Sequence, residues 1–217
     1  MPCNCCEITD NAFTEAEAKS QLRDYRRKGP PKQTKLLLDA IRSLNLKKAD
    51  LIDIGGGIGT IHHELLKDVA SQATHVDASS AYLKLAKEEV TRRGHTDRVY
   101  FVHADFTDVA NELPRADIVT LDRVVCCYPD FRKLLKTAAD HSGKALALTY
   151  PREIWYMRIG LKVINFFQGL RRDPFRVFLH PVSEMSSLLQ REGFKQVSVQ
   201  RLSVWEIALY QRIEAVS

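Results

Sequence analysis

The chain has 217 residues, 45% of them hydrophobic, with 32 basic against 27 acidic residues and a formal charge of +5. That length suits one α/β domain with a full core, and so mild a charge does not by itself imply nucleic acid. No run reaches the roughly 18–20 apolar residues of a membrane span and no hydrophobic signal region opens the chain, so a cytoplasmic protein is expected.

Residues 14–27 read as a helix, Gly-Pro-Pro at 29–31 breaks it, and 33–44 form a second helix with Leu36, Leu37, Ala40, Ile41 and Leu44 on one face. A buried strand at 51–54 runs into a glycine-rich loop. The pattern then alternates: a helix at 60–69, a strand at 74–79, a helix at 80–93, a strand at 98–106, a strand within 117–126, a helix at 130–141 and a strand at 144–150. Such alternation is the mark of a parallel sheet covered on both faces. After an apolar, basic stretch at 152–176 come a helix at 183–192 closed by Gly193 and two β-rich runs, 195–203 and 204–211, which read as an antiparallel hairpin on the sheet edge.

The loop LIDIGGGIGT, residues 51–60, places glycine at 55, 56, 57 and 59 behind Asp53. A loop of this kind offers backbone N–H groups and a helix N-terminus to a ligand. Its spacing, Gly55-x-Gly57-x-Gly59, is not the Gly-x-Gly-x-x-Gly of pyrophosphate-binding loops. Asp53 opposes a pyrophosphate but suits an ammonium or sulfonium group. Asp77 ends the second strand, where a carboxylate can accept two ribose hydroxyls. Asp105 ends the third, placed to accept from an adenine amino group while Phe106 packs on the base. Each acid alone reads equally well as a helix cap; three at successive strand ends point to one shared site.

These residues resemble the S-adenosylmethionine-dependent methyltransferases with the Rossmann-like fold. DIGGGIG is similar to that family's acid-x-Gly-x-Gly-x-Gly loop, VDAS to its ribose-binding strand end and HADF to its adenine-binding turn. The resemblance runs from about residue 33 to the C-terminus. It implies a Rossmann-like, seven-stranded, mostly parallel sheet with a C-terminal antiparallel hairpin and helices on both faces. It also implies S-adenosyl-L-methionine as cofactor, with Asp53, Gly55, Gly57 and Gly59 about its methionine portion. Asp77 and Ala78 fall at the ribose, Asp105 and Phe106 at the adenine, and Asp122 near the methionyl group. An NAD-dependent enzyme could use the first two acids as well. Within the family, RVVCCYPD together with the later Tyr-Pro-Arg and Gly-Phe segments is similar to the magnesium-protoporphyrin O-methyltransferases, which carry histidine where this chain has Cys127. The organisation implied is an N-terminal lid segment at 1–32 and a methyltransferase domain at 33–217, with 152–180 as substrate cap.

Methyl transfer is an in-line displacement in which positioning supplies most of the advantage. A carboxylate, thiolate or soft metalloid acceptor needs no general base. A phenol or hydroxyl does, and Tyr25, His103, Tyr128, Tyr150 and His180 are the rim candidates. Each reads equally as a structural hydrogen bonder, His103 most of all; Tyr25, Cys127, Tyr128 and His180 are taken as the catalytic set. Five cysteines fall in two clusters, Cys3, Cys5 and Cys6, then Cys126 and Cys127. If the clusters converge over the pocket they form a thiolate metal site or capture a thiophilic substrate such as trivalent arsenic; otherwise Cys126 is a small buried hydrophobe and the terminal thiols are disordered.

Residues 152–176 carry six basic against two acidic side chains, with Trp155, Ile159, Val163, Phe166 and Leu170 as a helical stripe and Arg158, Lys162, Arg171 and Arg172 adding charge. The stripe reads as core packing, as a substrate cap or as a peripheral contact with an anionic membrane. Nucleic acid is not expected as a partner, because the Asn/Asp-Pro-Pro-Tyr segment that stacks a base is missing. The expected function is methylation of a small molecule, O-methylation of an acidic or aromatic metabolite first and S- or metalloid methylation second. A cofactor-binding sensor or scaffold without turnover is the third reading. Oligomeric state is not legible.

Overall fold

The computed structural model describes residues 8, 10, 12–170 and 174–213. Side-chain alternation builds its centre. In β1 (Ala49–Ile54), Leu51 joins an apolar cluster with Leu37, Ile41 and Leu65, whereas Ile52 and Ile54 join the opposite cluster with Leu134, Leu148 and Leu189. A strand apolar on both faces must be covered on both. The helices are α1 (Glu15–Lys28), α2 (Lys32–Arg42), α3 (Thr60–Leu65), α4 (Ser80–Arg93), α5 (Phe106–Val109), α6 (Phe131–His141), α7 (Trp155–Leu170) and α8 (Val182–Arg191). The remaining strands are β2 (Ala70–Asp77), β3 (Val99–His103), β4 (Ala116–Asp122), β5 (Ser142–Pro151), β6 (Phe194–Arg201) and β7 (Trp205–Arg212).

The seven strands lie in the order β3-β2-β1-β4-β5-β7-β6, with β7 antiparallel to both β5 and β6 and the other pairings parallel. This is the Rossmann-like methyltransferase arrangement with its terminal hairpin. The order reverses between β1 and β4, and ligands of open α/β sheets bind at the carboxyl ends of strands at such a switch point. Asp53, Asp77 and Asp122 all stand at that rim.

Several boundaries differ from expectation. β3 stops at His103 because the Asp105 carboxylate accepts the Thr107 N–H at 2.9 Å and starts α5. β4 stops at Asp122: Arg123 turns the backbone to φ +64°, and Val125–Cys127 form a 3-10 turn, so the cysteine pair lies past the strand. α3 ends at Leu65, and β2 begins at Ala70. The stripe of α7 is not core. Trp155 is 73% and Phe166 64% exposed, and Leu161 is that helix's buried residue. Among the described residues, no helix is long and apolar enough to cross a membrane.

Candidate functional site

Two clefts meet over the glycine loop. The first, about 430 Å³, runs from Asp77, Ala78, Asp105 and Phe106 past Gly55, Gly57 and Asp122 to Arg123, Cys126, Cys127 and Tyr128, and is walled by Phe13, Phe175, Val177 and Trp205. The second, about 530 Å³, lies under α1 between Tyr25, Pro30, Asp53 and the loop, and shares Gln21, Gly55, Gly57, Asp122 and Arg123 with the first.

The loop holds its shape through left-handed glycines and one carboxylate. Gly55 and Gly57 have φ of 59° and 57°, and a Cβ on Gly55 would stand 2.5 Å from Val124. Asp77 accepts the Gly57 N–H through Oδ2 and the Ser79 N–H through Oδ1, both at 2.8 Å. A carboxylate offers about four lone-pair positions, so two remain toward the cleft. Burial pushes Asp77 up to about 6. Asp122 accepts from Thr34 Oγ1 at 2.6 Å through Oδ2, while its Oδ1 is buried without a partner where the clefts meet. A buried unpaired carboxylate oxygen is costly, and a cationic ligand group would satisfy it.

Asp105 is shared. It caps α5 and accepts from the Tyr128 hydroxyl at 3.1 and 3.0 Å. Tyr128, also 2.7 Å from Thr107 Oγ1, is thereby fixed along the cleft wall, and burial raises its phenol above the usual range. The Cys126 and Cys127 sulfurs are 3.8 Å apart, and both lie within reach of the Arg123 carbonyl, at 3.4 and 3.7 Å. Their mutual hydrogen bond raises the Cys126 thiol, with burial adding to it, and lowers that of Cys127.

Other expected residues are committed elsewhere. Tyr25 is buried, donates to Glu64 at 2.8 Å and lines only the second cleft; burial raises its phenol. His180 is clamped to the carbonyls of Val125 and Tyr128 at 3.1 and 3.0 Å between Phe131 and Phe178, so it braces the cysteine turn and does not line the cleft. Tyr150 is buried and donates to Glu206, and His103 lies 3.1 Å from the Ala78 carbonyl. Gly59 lines neither cleft: a Cβ there would meet the His62 ring at 2.4 Å, so this glycine makes room for a histidine. Asp53 is turned beneath the loop, 1% exposed, accepting from Thr120 Oγ1 at 2.7 Å, and burial pushes it up to about 6. Beside it, burial holds His62 and His75 down at about 3, so both imidazoles are neutral. Cys3, Cys5 and Cys6, with Arg171 and Arg172, lie outside the described residues.

Residues 51–143, which hold the loop and all three strand-end acids, match the family model described as a methyltransferase domain. The matched stretch runs from β1 through α6. Its fold is similar to that of magnesium protoporphyrin IX methyltransferase (ChlM) from Synechocystis PCC 6803, solved with bound SAH, at 17% identity over 96% of this chain and 100% of that one, with a TM-score of 0.73. A putative sarcosine dimethylglycine methyltransferase from Galdieria sulphuraria is similar at 12% identity over 82% and 84%, TM-score 0.67. An O-methyltransferase family protein from Burkholderia thailandensis is similar at 18% identity over 93% of this chain and 63% of that one, TM-score 0.66. No curated protein sequence matches the chain closely enough to count as a relative.

Several residues of the cleft escape a reading of motifs. Arg123 stands inside RVVCCYPD, yet only its backbone position reveals it. Thr34 on α2 reaches Asp122 across 88 residues of sequence. Phe13 packs edge-on against Tyr82 and Phe175, with ring centroids 5.9 and 5.3 Å away, joining the N-terminal segment to the chain beyond α7.

Proposed function

We propose that the protein transfers a methyl group from S-adenosyl-L-methionine to a carboxylate oxygen of a small, largely apolar molecule. The observation that carries this reading is the continuity of one cleft from the strand-end acids Asp77 and Asp105 to Arg123, against an apolar wall of Phe175, Val177 and Trp205. The cofactor supplies an electrophilic methyl group on a sulfonium sulfur. The two remaining lone-pair positions of Asp77 suit ribose hydroxyls, Phe106 and Asp105 suit the adenine, and the unpaired Oδ1 of Asp122 suits the ammonium of the methionyl portion. That ChlM was solved with bound SAH supports the same cofactor.

The acceptor class follows from proton bookkeeping. Tyr128 is held protonated against Asp105, and Tyr25, Tyr150 and His180 all serve partners within the protein. A phenol would need a base from this set, whereas a carboxylate is already ionised and can be held by Arg123. In this reading the catalytic contribution of the chain is orientation. The 1–32 segment, through Phe13, and the 152–180 segment, through Phe175 and Val177, act as lid and cap.

Incubation with isotopically labelled cofactor and a panel of metabolites, read by mass spectrometry, tests the reading. Label should enter carboxylic acids as base-labile esters, and Arg123→Ala should raise KM more than it lowers kcat. Label confined to phenols would overturn the carboxylate assignment. A second reading rests on the sulfur pair 3.8 Å apart on the cleft wall: a soft acceptor, such as trivalent arsenic, captured by Cys126 and Cys127. It requires methylated arsenic in the same assay and its loss in Cys127→Ser.

A further inference from the structure

The glycine loop has one glycine too many for its own motif. Gly55, Gly57 and Gly59 account for the spacing, and Gly56 does not have a left-handed backbone. What Gly56 avoids lies below it: a Cβ there would stand 2.6 Å from His75 Nδ1 and 2.9 Å from Asp53 Oδ2. The sheet brings these atoms together. Asp53 is the register partner of His75 across β1 and β2 and of Thr120 across β1 and β4, and His62 comes down on them from α3.

We propose that Asp53, His62 and His75 form a binding site for a divalent transition-metal ion under the glycine loop. Their donor atoms all lie within 4.8 Å of one another. His62 Nδ1 is 3.2 Å from His75 Nδ1 and 3.5 Å from Asp53 Oδ2. A tetrahedral zinc ion with bonds of about 2.0–2.1 Å holds its ligands about 3.3–3.4 Å apart, so these separations match two edges of such a site without rearrangement. Asp53 Oδ2 is buried with no hydrogen-bond partner, while Oδ1 accepts from Thr120 Oγ1 at 2.7 Å. The carboxylate is thus oriented by a neighbouring hydroxyl with one oxygen left toward the imidazoles, as metal-ligating carboxylates are. Two imidazoles and one carboxylate suit zinc, cobalt or nickel better than calcium or magnesium. Phe101 packs on both rings and keeps the pocket apolar, and Asp53 borders the second cleft, which gives an ion its way in. The bound ion would tie β1, β2 and α3 together directly beneath the loop.

The test uses the full chain, stripped with chelator and titrated with zinc or cobalt chloride, with binding followed by calorimetry and by the visible bands of tetrahedral cobalt. One equivalent is expected. His75→Asn and Asp53→Asn should weaken it more than about 100-fold, and Thr120→Val, which keeps the side chain's shape, about 10- to 100-fold. The triple change of Cys3, Cys5 and Cys6 to serine and the single change His63→Gln should leave it unaltered. Circular dichroism of every variant identifies any that fails to fold, and Thr120→Val then decides. Absence of stoichiometric binding, binding unchanged in Thr120→Val, or binding lost with the three cysteines would each overturn the proposal.

Discussion

Arg123 has φ of +64° and shares the left-handed region, outside glycine, with Asn45 and Lys48 among the described residues. Asn45 and Lys48 sit in the turn before β1, but Arg123 stands where the two clefts meet, beside Asp122. Left-handed backbone costs a side-chain-bearing residue roughly 1–2 kcal/mol. Arg123→Gly relieves that strain and loses about 0.5–1 kcal/mol to the freedom of the unfolded glycine. The variant should therefore be more stable in urea by between about 0 and 1.5 kcal/mol while binding an acidic acceptor more weakly; loss in both assays would assign Arg123 to the fold alone. Asp77→Asn keeps the shape of the side chain and removes its charge. S-adenosylhomocysteine binding, measured by calorimetry, should weaken by about 1–3 kcal/mol, and unchanged affinity would remove Asp77 from the site.

Among elements, α1 is anchored by an interior acid. Glu89 of α4 is fully buried and receives Arg26 of α1 at 2.6 Å together with Arg92 and Arg93 of its own helix. Burial alone would push its carboxyl up, but the hydrogen bonds from the three guanidinium groups outweigh burial and hold it well below the usual carboxylate range. A folded value below the unfolded one gives stability that is present above the unfolded carboxylate range and is lost as the pH falls through the folded one. Glu89→Gln should cost about 2 kcal/mol at pH 7, less than a wholly buried pair because the arginines reach solvent. In denaturant titrations that difference should hold from pH 8 to about 5 and shrink below about 4.5; a difference independent of pH would mean that shape, not charge, is at work. The exposed stripe of α7 belongs to this scale as well: its periodicity forecast the helix, but neither the core nor the cleft absorbs Trp155 or Phe166.

For the whole molecule, one wall of the cleft is made where two distant segments meet. Phe13 precedes α1, Phe175 follows α7, and their rings meet edge-on at 5.3 Å. Aromatic pairs of this kind contribute about 0.5–1.5 kcal/mol beyond the area they bury. Phe13→Ala and Phe175→Ala should each weaken S-adenosylhomocysteine binding, and the double variant should lose about 1 kcal/mol less than the sum. Strict additivity would show that the two segments act separately.

Alternation along β1 and the helical periods around it are local patterns, which is why the parallel sheet, the added hairpin and the strand-end acids Asp53 and Asp77 were legible from the amino-acid sequence alone. Glycine at 55 and 57 was legible for the same reason, since a tight left-handed loop admits little else. Which side chains remained available for chemistry was not. Tyr25 meets Glu64 39 residues away, Tyr128 meets Asp105 across 23, and His180 meets Val125 across 55. Gly59 and Gly56 also make room for the rings of His62 and His75, which a Cβ at either position would meet. Local patterning places a residue on an element and a face, but a polar group's partner is settled only when packing brings distant donors and acceptors within about 3 Å. The fold was therefore written in the sequence, and the tertiary structure alone decided which of its polar groups still face the cleft.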